Sequence, residues 1–288
     1  MKARDNPFHI LIIAVAALSL LSLIYGCNKP QKPNHMSGST NILFLHHSTG
    51  KVILLGNTSR IIYKLGFKGG IDKLFADSNK KNGTNYRFSS QYFPKQEIYG
   101  WKNYPFDYYN IWVRNAGDRP FQDEPTLEIL TKTYNVIIFK HCFPVSNIVE
   151  GKGAPDIDSE EKTLENYKLQ YGALKEKLKQ FPETKFIVWT GAALVKNETS
   201  EGNAIRAREF FNWVVNEWDE QGDNIYLWDF RKLETEGGLY LPDKFANSAN
   251  DSHPAKSFAA SVMPLFYQRI IDVIENRGDS GSITGEND

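Results

Sequence analysis

Four short apolar runs, Ile42–Leu45, Val136–Phe139, Phe186–Trp189 and Ile225–Trp228, constrain this chain more than any other feature of it. Each is nearly continuous rather than alternating. A strand with one face in water alternates apolar and polar residues. One covered on both faces is apolar throughout, as in parallel sheets flanked by helices. Helical patterns lie between and after the runs. Leu164, Tyr167, Tyr171, Leu174 and Leu178 form one; Phe210, Phe211, Val214, Val215 and Trp218 a second; Phe258, Val262, Phe266, Ile270 and Ile274 a third. This alternation predicts one open α/β sandwich, with strands near 42–46, 135–140, 185–190 and 225–229 and another near 86–93.

The N-terminus has a different grammar. Lys2 and Arg4 precede an apolar stretch of 15 residues, Ile10 to Ile24, and Ile24-Tyr25-Gly26-Cys27 follows. A positive start, a short apolar segment and a small residue before a cut read as a secretory signal. The stretch is shorter than the roughly 20 residues of a comfortable span. The segment resembles a bacterial lipoprotein signal. That resemblance implies removal of residues 1–26, lipidation of Cys27 (a palmitate-type acyl anchor), a polar tether over 27–40 and a location in the bacterial cell envelope. An uncleaved anchor helix and an ordinary secreted protein remain as alternatives.

Without residues 1–26 the chain has 262 residues, enough for one large or two modest domains. It carries 32 basic and 33 acidic residues there, against 34 and 34 in the whole. That balance argues against a nucleic-acid partner, which requires a basic face. Cys142 is the only cysteine besides Cys27, so a free thiol is expected there and no internal disulfide staples the fold. The stretch from Gly66 to Pro125 crowds Tyr99, Trp101, Tyr104, Phe106, Tyr108, Tyr109 and Trp112 together, as a covering layer, a pocket wall or both. The tail, 277–288, is Gly, Ser and acid, and reads as disordered.

Two segments carry residues suited to chemistry. The first run ends in His46-His47-Ser48-Thr49-Gly50 before a plausible helix from Lys51 to Tyr63. A serine at that corner sits where free backbone N–H groups can stabilise an oxyanion, although a serine helix cap with Gly50 in a tight turn accounts for the same letters. Asn250-Asp251-Ser252-His253-Pro254 precedes the last helical pattern. Neutral imidazole is suited to take a hydroxyl proton near pH 7, and a nearby carboxylate would fix its tautomer. Pro254 is expected to enter the helix early. An Asx turn with a solvent-facing histidine is the competing reading.

In this arrangement the chain resembles the SGNH hydrolases, relatives of the GDSL esterases, over roughly residues 41–276. Ser48 follows the first strand, and His253 lies 205 residues later in an Asp/His block before the last helix. Thr190-Gly191-Ala192-Ala193-Leu194 and Asp229 also fall at matching places. The resemblance implies a three-layer αβα sandwich with a mainly parallel sheet of flavodoxin-like topology. It also implies Ser48 as nucleophile, His253 as base, Asp251 as its orienting acid, and oxyanion donors for which Gly100 and Asn147 are candidates. The usual Gly-Asp-Ser block is replaced by His46-His47-Ser48, Asp-x-x-His by Asn250-Asp251-Ser252-His253, and Gly-x-Asn-Asp by Lys140-His141-Cys142-Phe143-Pro144.

The implied activity is hydrolysis of an ester without a cofactor; the surface location and the aromatic faces from Tyr99 to Trp112, which can stack on sugar rings, point to an acetyl or other acyl group on a carbohydrate. Transfer of the acyl group to another sugar would use the same residues. A non-catalytic glycan-binding lipoprotein and a structural lipoprotein with a protein partner are the alternatives. His47 and His141 do not make a metal site by spacing, since no third ligand is fixed. Gly278-Asp279-Ser280 spells the family's tripeptide in the tail, where nothing fixes a rotamer, and Asn197-Glu198-Thr199 reads as a surface loop.

Overall fold

Each apolar run became a strand whose two faces enter different cores. In a computed structural model, which describes residues 38–59, 61, 69–95 and 99–286, the chain from Ser39 onward is one compact unit. The signal segment, Cys27 and nearly all of the tether lie outside the described residues. Strands β1 (Thr40–His46), β2 (Tyr86–Tyr92), β3 (Val136–Lys140), β4 (Lys185–Trp189) and β5 (Ile225–Trp228) form a parallel sheet in the order β2-β1-β3-β4-β5. This is the flavodoxin-like order, and its direction of winding reverses between β1 and β3.

Alternation within the strands sorts the core. Leu43, Leu45, Ile137, Phe139, Phe186, Val188 and Leu227 point into one layer, and Ile42, Phe44, Val136, Ile138, Ile187, Trp189 and Trp228 into the other. Helices α1 (Ser48–Leu55), α2 (Gly70–Asn82) and α8 (Lys256–Ile274) cover the second face. Helices α5 (Leu164–Leu178) and α6 (Glu201–Trp213) cover the first, with the short α3 (Pro105–Tyr109) and α4 (Leu127–Leu130). The three helical patterns are the buried faces of α5, of α6 with its π-helical extension Val214–Trp218, and of α8. Thr163 and Ser200 cap α5 and α6 by accepting from the N–H groups of Asn166 and Asn203. Phe258, Val262, Phe266 and Ile270 are buried along α8, each contributing about 1.5–3 kcal/mol through burial.

Several expectations are corrected. The first helix is Ser48–Leu55, beginning before Lys51 and ending at Gly56, whose φ of +51° turns the chain away. The Asp/His block lies in a small antiparallel ribbon of β6 (Ala246–Ser248) and β7 (Asp251–Pro254). Pro254 therefore ends a strand, and Ala255 separates it from α8. Residues 277–286 are packed rather than loose: the Trp228 indole N–H donates to the Thr284 carbonyl at 2.9 Å, and the Asp229 amide to Ile283 at 2.8 Å. Polar composition hid backbone carbonyls that serve buried donors. Within that segment Asp279 accepts from the Gly222 amide, far in role from a nucleophile's neighbour.

The aromatic stretch resolves mainly into core. Trp101, Tyr104, Phe106, Tyr108, Tyr109 and Trp112 are buried with the first-face cluster, and only Tyr99 is exposed.

Candidate active site

Ser48 follows β1 directly, at the carboxyl edge of the sheet and beside the β1/β3 reversal where open α/β sheets form their crevices. It is the first residue of α1. The preceding His47 is extended at the cap position and makes no side-chain capping bond, so serine is not the cap. The first intrahelical bond runs from the Lys51 amide to the His47 carbonyl. The N–H groups of the first turn, Ser48 among them, lie ahead of that bond without an intrahelical acceptor.

The ribbon β6–β7 delivers the other two residues. His253 Nε2 is 2.8 Å from Ser48 Oγ, and His253 Nδ1 is 2.6 Å from Asp251 Oδ1. Residues 205 apart in sequence thus form one chain of hydrogen bonds. Asp251 Oδ1 also accepts from the His253 amide at 3.0 Å, while the Asn247 amide nitrogen donates to Oδ2 at 2.8 Å. The backbone bond first, then the imidazole bond, holds the Asp251 carboxyl below the usual carboxylate range and so keeps it ionised. The spacing of two residues suffices because in strand β7 residues 251 and 253 point to the same side. Phe143, just after β3, packs edge-on against His253 with ring centres 5.1 Å apart.

The other sequence candidates are elsewhere. Gly100 is exposed with φ +73°, and it is absent from the cleft walls around Ser48. Asn147 follows the short 3-10 turn after β3, and its side-chain oxygen accepts from Asn203 at 2.5 Å within a polar cluster completed by Arg206. Neither is among the described residues that line the cleft; from the turn after β3 it is Phe143 that reaches the His253 ring. Asp229 is structural: it accepts from Thr190 Oγ1 at 2.7 Å and caps the short α7 (Phe230–Thr235).

His46 and His47, at the end of β1, are both buried. The two rings are held by backbone carbonyls: His46 Nδ1 is 2.8 Å from the His47 oxygen, and His47 Nε2 is 2.6 Å from the Pro94 oxygen. Burial lowers both, His46 to about 4, and the nearby Lys140 charge adds to the effect. Both are neutral near pH 7. His141 is fully enclosed against Tyr108, with ring centres 4.6 Å apart. Cys142 is free and buried, and no group of three or more His, Cys, Asp or Glu residues that could hold a metal occurs among the described residues.

Beside Ser48 and His253 opens a cleft of about 1070 Å³, walled by Val52, Ile61, Tyr92, Asn247, Pro254 and Lys256 among others. Tyr92 at the end of β2 is 52% exposed and rests against both His46 and His47, at 5.4 and 5.6 Å. Sequence reasoning missed Tyr92, Asn247 and Phe143. For Tyr92 the only sequence signal is its position one residue from the end of the predicted strand 86–93.

No family model matches the chain. No curated protein matches it either. Among solved structures, it is similar to the crystal structure of a "putative GDSL-like lipase" from Parabacteroides merdae, with 13% sequence identity, a TM-score of 0.45, and 83% of this chain and 98% of that chain covered.

Proposed function

We propose that the protein is a serine hydrolase acting on an ester, an acetyl or other acyl group on a carbohydrate. The observation that carries this is the relay from Ser48 Oγ through the His253 ring to Asp251, with steps of 2.8 and 2.6 Å. Both lie within the roughly 2.6–3.2 Å that proton transfer needs. In the proposed reaction Ser48 Oγ attacks the ester carbonyl and passes its proton to His253 Nε2. Asp251, ionised and accepting from Nδ1–H, favours the imidazolium. The oxyanion forms against the unengaged N–H groups at the start of α1, the Ser48 amide first. His253 then protonates the leaving alcohol, and water removes the acyl group from Ser48 by the reverse steps.

The support for a carbohydrate shifts from the aromatic stretch, which is core, to Tyr92, an exposed ring on the cleft that suits stacking against a sugar face. The test is a fluorophosphonate probe on the soluble domain. Labelling at Ser48, lost in Ser48→Ala, is expected together with turnover of simple acetyl esters. Absence of both would leave the non-catalytic glycan-binding reading in its place.

We also propose that the protein is a bacterial envelope lipoprotein acylated at Cys27, on the strength of the N-terminal sequence alone. Cys27→Ala should leave the precursor unprocessed and change its partitioning into detergent. An unchanged mass and unchanged partitioning would overturn this.

A further inference from the structure

The acid and the base of the relay stand on a strand that is not part of the five-stranded sheet. Strand β7 carries Asp251 and His253 on one side and therefore turns Ser252 and Pro254 to the other, where both are buried. Ser48 is fixed separately, at the start of α1. Whatever holds the ribbon against the rest of the domain therefore sets the distance between base and nucleophile.

Ser252 makes that connection. It is 5% exposed, and its Oγ accepts from the Val195 amide at 3.0 Å. Val195 lies in the loop that leaves β4, buried in a small apolar cluster with Ala193, Leu241 and Ala246 of β6. The loop is itself held in place. The Ala193 amide donates to Oε1 of the buried Glu234 in α7 at 2.6 Å, and the Leu241 amide donates to the Leu194 carbonyl at 2.9 Å. Apart from bonds inside the ribbon and the relay bond to Ser48, the Ser252–Val195 bond is the one hydrogen bond from β7 to the rest of the protein among the described residues.

We propose that Ser252 is a positioning residue for catalysis: through the Val195 amide it sets the place of the Asp251–His253 pair relative to Ser48. The inference rests on the hydrolase reading above and goes beyond it. Asp251 and His253 are bonded to each other within β7, so loss of the anchor displaces them together. The bond at Nδ1 survives, while the 2.8 Å contact between Ser48 Oγ and Nε2 does not. A misplacement of about 1 Å costs about 10²-fold in rate.

The experiment removes the bond from either end in the full-length protein, held in detergent. Ser252→Ala deletes the acceptor. Val195→Pro deletes the donor, and Val195 already has the φ of −66° that a proline ring imposes. Each should lower kcat for a chromogenic acetyl ester about 10-fold to 100-fold with KM little changed, and slow fluorophosphonate labelling of Ser48 by a similar factor. Ser252→Thr keeps the Oγ acceptor and should restore most of the rate. Each single variant leaves a buried polar group unpaired and should melt earlier; the double variant leaves neither unpaired and should regain Tm. Its kcat should nevertheless stay at the level of the single variants, because the anchor is still missing. Should Val195→Pro fail to fold, the contrast between Ser252→Ala and Ser252→Thr decides: equal kcat in the two overturns the inference. Wild-type kcat and labelling in the single variants, or a double variant whose kcat returns together with its Tm, also overturns it and leaves the hydrolase reading standing. Absence of labelling and of all turnover in the wild type overturns the hydrolase reading itself, and the inference with it.

Discussion

Asp251→Asn tests the relay at its least familiar point, an acid only two residues from the histidine. In the wild-type arrangement Oδ1 accepts from the His253 amide at 3.0 Å and from its ring at 2.6 Å, and Oδ2 accepts from Asn247 at 2.8 Å. A carboxylate can accept at both oxygens; an amide can accept at only one. If the new amide keeps its oxygen towards His253, its nitrogen meets the Asn247 nitrogen, donor against donor. If it flips to satisfy Asn247, its nitrogen donates to His253 Nδ1 and selects the tautomer with the proton on Nε2, which cannot accept from Ser48. Either way the imidazolium loses its counter-charge. The wrong tautomer costs about 10⁴ in kcat where the acid is buried. Here the Asp251 side chain is 37% exposed, so water can take part of its role. We therefore expect a fall of about 10²–10⁴ in kcat, or about 2.7–5.5 kcal/mol of barrier, with KM little changed. The assay is steady-state hydrolysis of a chromogenic acetyl ester, with thermal melting alongside. A loss under about fivefold in a normally folded variant would refute the orienting role and leave a Ser-His dyad.

Gly50→Ala should cost about 1–3 kcal/mol in urea unfolding, because a Cβ there would lie 2.5 Å from His46 Cβ and 3.1 Å from Phe44 Cζ, neither able to retreat without moving α1 off β1. Gly172→Ala, in α5 with nothing within 4 Å of its Cβ, should instead add about 0.5–1 kcal/mol; equal effects would refute the packing argument. Ending the chain after Arg277 should cost at least about 2 kcal/mol, since the Trp228 indole and the Asp229 amide lose the Thr284 and Ile283 carbonyls and Arg269 loses that of Gly278. An unchanged unfolding midpoint would return that segment to the status of a loose tail. Asp219 is raised to about 7 by burial and by neighbouring Asp223, so the folded state holds a proton that the unfolded state has lost above its ordinary value of 3.8. Its contribution to stability therefore declines as pH rises from about 4 to about 7. The Tm advantage of Asp219→Asn over wild type should widen across that window and then level off; a gap constant with pH would contradict the shift.

The sequence by itself determined the sandwich, because a doubly covered strand must be apolar on both sides and a covering helix must repeat at three and four. Val136–Phe139 and the α8 series could hardly have formed anything else. It also placed Ser48 at a strand-to-helix corner and His253 just before the last helix, two positions that the fold brings within 2.8 Å of each other. What it did not contain is which groups meet once the chain is closed. Gly100 and Asn147 were chosen by offset along the chain, but the turn after β3 presents Phe143 to His253 and turns Asn147 towards Asn203. The aromatic stretch from Tyr99 to Trp112 has one composition whether its rings line a pocket or fill a core, and only packing decided for the core. The polar tail contributes through backbone carbonyls, which every residue possesses and no composition reveals. Asp251 reaches His253 because ribbon β6–β7 makes the segment extended, so that alternate side chains share a side. The two residues are near in sequence in any conformation, and only the tertiary structure turns both towards Ser48.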